Sequence, residues 1–199
     1  MSFRKENKFR LSISDFYQIK NLLLSQGMTT LFEKRTINSI YYDTLNLDMF
    51  YDSEEGVLPR KKFRIRWYYD KRKSKIEKKI SSTEGRFKTS VSLAENEKKN
   101  KNFINHIIDQ NYGVLEPSLK VSYERSYYSF NKVRLTFDTN ITYVNPRISN
   151  FKKYKDPERV LEVKASISTS DDFISKFFPY PSSRFSKYSR GILLTTNNL

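Results

Sequence analysis

The sequence predicts an α+β fold in which antiparallel strands close into a barrel flanked by helices, and three features point that way. A strand pattern, a helix pattern, a run of strands, a second helix and more strands follow in that order, as in an antiparallel α+β chain. Several strand segments set Arg or Lys against apolar residues. In 61–69 (KKFRIRWYY), Lys62, Arg64, Arg66 and Tyr68 fall on one side and Phe63, Ile65, Trp67 and Tyr69 on the other. Closing such strands into a barrel removes sheet edges and gives the charged faces an interior to point into.

A length of 199 residues fits one domain, 1–199, with no linker and no tandem repeat. Lys and Arg number 37 against 22 Asp and Glu, a net charge of +15, so the partner is expected to be anionic: phosphates, nucleic acid or an acidic surface. With 0 cysteines, a disulfide framework and thiolate chemistry are excluded. Residues 1–13 lack the apolar core of a signal peptide, and no stretch approaches the roughly 18 apolar residues of a membrane helix, so a soluble, cytoplasmic protein is expected. The only histidine, His106, leaves little material for a zinc site or a histidine triad.

The elements follow from local pattern. Residues 4–9 alternate Arg4, Glu6 and Lys8 with Lys5, Asn7 and Phe9. A helix capped by Ser12 or Ser14 then presents Phe16, Ile19, Leu23 and Leu24 and stops at Gly27. Residues 35–44 read as a β-branched and aromatic strand, 45–49 as a turn and 50–59 as an acidic loop. After the basic strand come a charged turn at 70–74, a strand at 75–80 with Glu77 and Lys79 on one face, and a strand holding Arg86, Lys88 and Ser90 on its polar side. Residues 94–112 read as a helix with Phe103, Ile104, Ile107 and Ile108 on its apolar side and Gly113 as its stop. Pro117 opens more strands. In 119–127, Arg125 shares a face with Tyr123 and Tyr127, the less expected place for a cation. Asn131 marks a turn before Val133, Leu135 and Phe137, which alternate with Arg134, Thr136 and Asp138. Residues 151–158 read as a mobile basic loop, and 160–165 as a strand pairing Glu162 with Lys164 on one face. Asp171 is placed to cap a short helix burying Phe173, Ile174, Phe177 and Phe178, and the tail 184–191 is basic again.

Two unit charges about 6 Å apart at an effective dielectric of about 20 repel by roughly 3 kcal/mol, so an enclosed row of cations needs an anion or interleaved carboxylates. A polyanion threaded among these strands meets that need, and a carboxylate among its phosphates would hold a bridging divalent cation. Glu162 is the first choice for that ligand, followed by Glu6 and Glu77, whose plainer role is ion pairing with neighbouring lysines. No Gly-rich phosphate loop is present, so Arg and Lys side chains must cradle the phosphates. Nucleic acid is the weaker partner, because Phe63, Ile65 and Trp67 lie opposite Arg64 and Arg66 rather than beside them.

The segments 4–9 (RKENKF), 39–44 (SIYYDT), 61–68 (KKFRIRWY), 76–79 (IEKK), 121–125 (VSYER), 133–138 (VRLTFD), 160–164 (VLEVK) and 185–188 (FSKY), in this order, resemble the VTC domain. That family is the polyphosphate-polymerase branch of the CYTH or triphosphate tunnel metalloenzyme superfamily. The resemblance implies a barrel enclosing a basic tunnel, where the γ-phosphate of ATP is transferred to growing polyphosphate with Mn²⁺ or Mg²⁺. It implies catalytic contacts from Arg64, Arg66, Lys79, Arg125 and Lys187, and further phosphate contacts from Lys8, Lys62, Arg86, Lys88, Arg134, Lys164 and Arg184. The implied metal ligand is Glu162, to which the reading of the charged faces adds Glu6. The acceptor is an ionised phosphate, so no protein base is required. A metal-dependent triphosphate hydrolase and a non-catalytic polyphosphate-binding module remain as alternatives. The chain departs from the family at 52–55 (DSEE), where another cation is usual and Lys61 or Arg60 would have to stand in, and at Arg4, which replaces an acidic residue. It lacks the SPX sensor domain and membrane spans of the eukaryotic assemblies, so coupling to transport would need a separate membrane or regulatory partner.

Overall fold

A computed structural model describes residues 4–93, 105–148 and 152–196. The described chain is α+β, as expected. Its strands are β1 (Arg4–Leu11), β2 (Thr29–Asp43), β3 (Arg60–Tyr68), β4 (Asp70–Ser82), β5 (Gly85–Ser92), β6 (Ile107–Asp109), β7 (Gly113–Phe130), β8 (Val133–Val144), β9 (Tyr154–Lys155) and β10 (Arg159–Ser166). The helices are α1 (Ile13–Ser25), α2 (Asp48–Glu55), α3 (Asp171–Phe177) and α4 (Lys187–Thr196). The sheet order is β1-β10-β8-β7-β2-β3-β4-β5, with β6 on β7 and β9 on β8. Among the described residues no helix is long and apolar enough to cross a membrane. The chain divides into two compact units, one of Met1–Arg35, Tyr123–Ile141 and Lys155–Phe185, the other of Thr36–Ser122, Thr142–Tyr154 and Ser186–Leu199.

In the first unit, α1 begins where the Ser12 hydroxyl accepts the Asp15 amide, and it ends before Gly27, whose φ of 94° suits a residue without a Cβ. Phe16, Ile19 and Leu23 bury against Phe9 and Leu11 of β1, Leu161 and Val163 of β10, and Leu135 and Phe137 of β8. Each such side chain contributes about 1.5–3 kcal/mol of transfer free energy. Leu24, expected in the stripe, is 45% exposed, because it falls past the arc that reaches the sheet. Asn131 and Lys132 both take positive φ in the turn between β7 and β8. The cap of α3 is Ser170, accepting the Phe173 amide, rather than Asp171, which sits in the first turn. Ile174 and Phe178 are buried, while Phe173 and Phe177 are only partly so.

In the second unit, Phe63, Ile65 and Trp67 pack with Tyr42, Met49, Leu93 and Leu115. Tyr69, expected beside them, is 68% exposed, because the β3–β4 register shifts between Arg66 and Tyr68 and the chain turns there. The charged turn expected at 70–74 is strand, the start of β4. The expected loop at 50–59 is instead mostly α2. Its acidic side faces solvent, but Met49, Phe50 and Ser53 are buried, and the Asp43 carboxylate accepts the amides of Thr44, Met49 and Phe50 at 2.8–2.9 Å.

The helix expected over 94–112 is corrected in part. Residues 94–104, Phe103 and Ile104 included, lie outside the described residues, but Ile107–Asp109 is strand β6, paired with Gly113–Leu115. Asp109 makes the turn by accepting the Asn111 amide at 3.0 Å, and Gly113, φ 72°, opens a strand rather than closing a helix. Within the expected loop 151–158, Tyr154–Lys155 forms β9, and residue 151 lies outside the described residues.

Helix α4 has no counterpart among the expected elements, because Gly191 and the two threonines at its end are weak helix formers. It approaches β7 and β8 at Gly191, where a Cβ would come within 2.6 Å of the Tyr143 ring and closer still to Leu119.

Candidate functional site

In the second unit, register fixes which side chains share a face. Pairings of Ser39 with Arg66, Tyr41 with Arg64, Lys62 with Lys79, Arg64 with Glu77, and Arg66 with Lys75 continue into Lys79 with Lys88 and Ser81 with Arg86. The face of β3–β5 expected to be cationic is therefore one continuous surface bearing Arg60, Lys62, Arg64, Arg66, Lys75, Lys79, Arg86 and Lys88. Across 60–66, 75–81 and 86–92, Glu77 is its only carboxylate.

Glu77 accepts from Arg64 Nε at 2.6 Å and Lys88 Nζ at 2.5 Å, with Arg66 Nη1 at 3.6 Å. Burial pushes this carboxyl up, but the Arg64 and Arg66 charges and the Lys88 hydrogen bond overcome it and bring it down to about 2. Arg64 and Arg66 are largely shielded from water, with side chains 23% and 11% exposed. Lys62 donates to Ser186 Oγ at 3.0 Å, next to Lys187, the first residue of α4. Lys88, although bound to Glu77, is half exposed, and Arg86 is exposed. Lys61 lies on the opposite face, held by Asp109 at 2.9 Å, and Arg60 donates to the Gly56 and Val57 carbonyls.

The first unit carries a second cluster. Lys8 and Glu6 of β1 pair with Glu162 and Lys164 of β10, which pair in turn with Thr136 and Arg134 of β8, placing these residues on one face of the three strands. Glu162, only 8% exposed, meets Lys164 Nζ at 2.9 Å and Arg125 Nη2 at 3.5 Å. Glu6 is its hydrogen-bonding neighbour. Burial pushes Glu162 up, but Arg125, Lys164 and Lys8 hold it far below the usual carboxylate range. Lys8 also lies 3.4 Å from Glu6 and donates to the Phe185 carbonyl.

Arg125 is explained by Asp138, which it grips with two hydrogen bonds of 2.6 and 2.7 Å, while its guanidinium lies 5.3 Å from the Tyr123 ring. The face that looked apolar on β7 thus meets the polar face of β8. Arg134 is exposed and lies over the Phe32 and Tyr127 rings at 5.7 and 5.5 Å, and Arg184 is exposed beside buried Phe185.

Among the described residues no group of three or more His, Cys, Asp or Glu gathers as a metal cage. The Glu162 and Glu6 pair still fits Mg²⁺ or Mn²⁺, which are held by one or two carboxylates together with phosphate oxygens and water. Thr136 Oγ1, buried without a hydrogen-bond partner opposite Glu162, adds a polar atom to the same place.

Several participants escape sequence reasoning. Tyr41 accepts Arg64 Nη1 at 2.9 Å and stacks on Tyr188 at 5.1 Å, and the Tyr188 hydroxyl donates to buried Asp43. Arg147 donates to the carbonyls of Asp43, Thr44, Leu45, Glu116 and Pro117, which ties down the start of α2. The alternation of 35–44 puts Tyr41 on a face but does not say which face meets Arg64. His106 is half exposed and 3.8 Å from Glu116.

Solved structures share this fold at low identity. A candidate adenylate cyclase from Bacillus halodurans matches with TM-score 0.59 and 16% identity over 93% of this chain and 94% of its own. The PH1012 protein of Pyrococcus horikoshii matches with TM-score 0.57 and 14% identity over 94% and 98%. A candidate adenylyl cyclase from Hippeastrum, described as having a dominant triphosphatase activity, matches with TM-score 0.53 and 15% identity over 97% of each chain. The fold is thus that of the triphosphate tunnel proteins. No curated protein sequence matches the chain. The family model of the VTC domain matches residues 3–196. With nearly the whole chain covered by that match, this protein belongs to the VTC domain family.

Proposed function

We propose that this protein is a cytoplasmic polyphosphate polymerase that transfers the γ-phosphate of ATP to a growing polyphosphate chain. The observation that carries the reading is Glu77, one carboxylate among eight cations on the continuous face of β3–β5, a surface that a linear string of phosphates neutralises and a compact anion does not. In the reaction the bond from the γ-phosphorus to the bridging oxygen breaks, a bond to the terminal phosphate oxygen of the chain forms, and ADP leaves.

Arg64, Arg66, Lys79 and Lys187 hold phosphate oxygens and offset charge as the phosphoryl group moves, while Lys62, Arg86, Lys88, Lys8, Arg134, Lys164 and Arg184 bind the rest of the ligand. Arg125, fixed by Asp138, orients and balances Glu162. Glu162 and Glu6 would hold Mn²⁺ or Mg²⁺, which would supply Lewis-acid polarisation of phosphate oxygens. The acceptor oxygen is already ionised, so no general base is needed.

Incubation with ATP and Mn²⁺ tests this: long polyphosphate resolved on a gel is expected. Free phosphate alone would favour the second reading, triphosphate hydrolysis, which the triphosphatase activity of the Hippeastrum protein supports by likeness of fold.

A further inference from the structure

We propose that Tyr41 is a positioning residue whose proton governs phosphate binding at Arg64: the neutral phenol leaves the guanidinium's charge to the ligand, and the phenolate competes for it. The inference rests on reading the β3 cations as phosphate contacts.

The geometry leaves the ring one degree of freedom, its proton. Tyr41 is 7% exposed, its ring stacks on Tyr188 with planes 20° apart, and its backbone carbonyl accepts from Ser118 Oγ at 3.2 Å. Tyr188 is itself held by Asp43 and Ser118. Arg64 meets Tyr41 twice, through the 2.9 Å hydrogen bond and with its guanidinium carbon 5.7 Å from the ring centroid. Its Nε and Nη2 are taken by Glu77.

The groups facing Tyr41 are Arg64 and Arg66 on β3 and Lys187 and Tyr188 on α4. One bond further out, Glu77 on β4 shares Arg64, and Asp43 and Ser118 share Tyr188. Burial pushes the phenol up, but Arg64, Arg66 and Lys187 outweigh it and bring it down to about 8.

Those same cations are the ones a phosphate chain would occupy. A bound polyanion cancels the field that favours the phenolate, so the phenol must become harder to ionise. By linkage, ionising it must weaken the anion by the same factor.

The test is a tyrosinate absorbance titration of the full chain, wild type and Tyr41→Phe, with and without tripolyphosphate in metal-free buffer, alongside calorimetric affinities across pH. We expect one tyrosine titrating near pH 8 in the wild type and not in the variant, rising by about one unit with ligand. Between roughly pH 7 and pH 9.5, tripolyphosphate affinity changes by a factor about tenfold less favourable in the wild type than in Tyr41→Phe, the ligand's own ionisation being common to both. If tripolyphosphate binds and the titration does not move, or affinity falls equally in both proteins, the role of Tyr41 is overturned while the phosphate site stands. No binding at all overturns both. The ligand-linked shift without polyphosphate synthesis supports the inference and removes only the polymerase. Should Tyr41→Phe fail to fold, the wild-type titration decides: a tyrosine near pH 8 that rises with tripolyphosphate supports the inference, and its absence, or a titration that the bound ligand does not move, overturns it.

Discussion

Arg125 and Asp138 meet in a two-point ion pair, Nε to Oδ1 at 2.6 Å and Nη2 to Oδ2 at 2.7 Å, with the carboxylate wholly shielded from water. Removing one partner strands the other as a buried charge, which costs about 3–5 kcal/mol. Arg125→Ala is expected to lose about that much in urea unfolding, and Arg125→Lys to recover only part, because an ammonium cannot reproduce the fork.

Glu162→Gln separates an enzyme from a passive binder. The amide keeps the shape but not the charge that Lys164 and Arg125 answer. With ATP and Mn²⁺, turnover is expected to fall at least about a hundredfold, the scale on which lost electrostatic stabilisation of a transition state is felt. Filter binding of polyphosphate without metal should be retained. Unchanged turnover would show that Glu162 takes no part in the reaction.

Glu77 contributes to the stability of the protein toward acid. Its carboxyl titrates near 2 when folded, against 4.5 ordinarily, so the stability it contributes is complete above the ordinary value and is lost as pH falls through the folded one. Thermal melts of the wild type should drop between about pH 4.5 and pH 2, a loss of up to roughly 3 kcal/mol from this group. Glu77→Gln begins less stable, because Arg64 and Lys88 lose their ionised acceptor, and its melts should drop less over the same interval.

Arg147 donates to five carbonyl oxygens at 2.9–3.3 Å. Lysine has three donors and no planar fork. Arg147→Lys is expected to cost about 2–3 kcal/mol. Amide hydrogen exchange should quicken first in α2, whose N-terminal turn this side chain steadies. Uniform exchange across the chain would refute that assignment.

Much of the sheet is readable because a strand's period of two fixes the face of every residue once one is placed. Phe63, Ile65 and Trp67 inside forces Lys62, Arg64 and Arg66 to the other side, as found. The helices are less legible, for physical reasons. In 48–55 the acids that suggest a loop are the solvent side of α2, and its anchor, Asp43, precedes it in sequence. Ile107 and Ile108 fit a helical spacing but are claimed by pairing with Leu115 and Val114, a tertiary preference that local pattern does not encode. The site divides the same way: Arg64, Arg66 and Glu162 stand out by alternation, whereas Asp138 and Tyr41 acquire their roles only across strands, from Arg125 and Arg64.

The absent side chain at residue 191 has a reach beyond its own contact. Lys187 sits one helical turn before it, so the ammonium's station is decided by how tightly the helix can seat on Leu119 and Tyr143. A single methyl there would lift the turn and carry a charge away from its post without touching it. The smallest residue of α4 thereby acts as the gauge block for the helix's first turn.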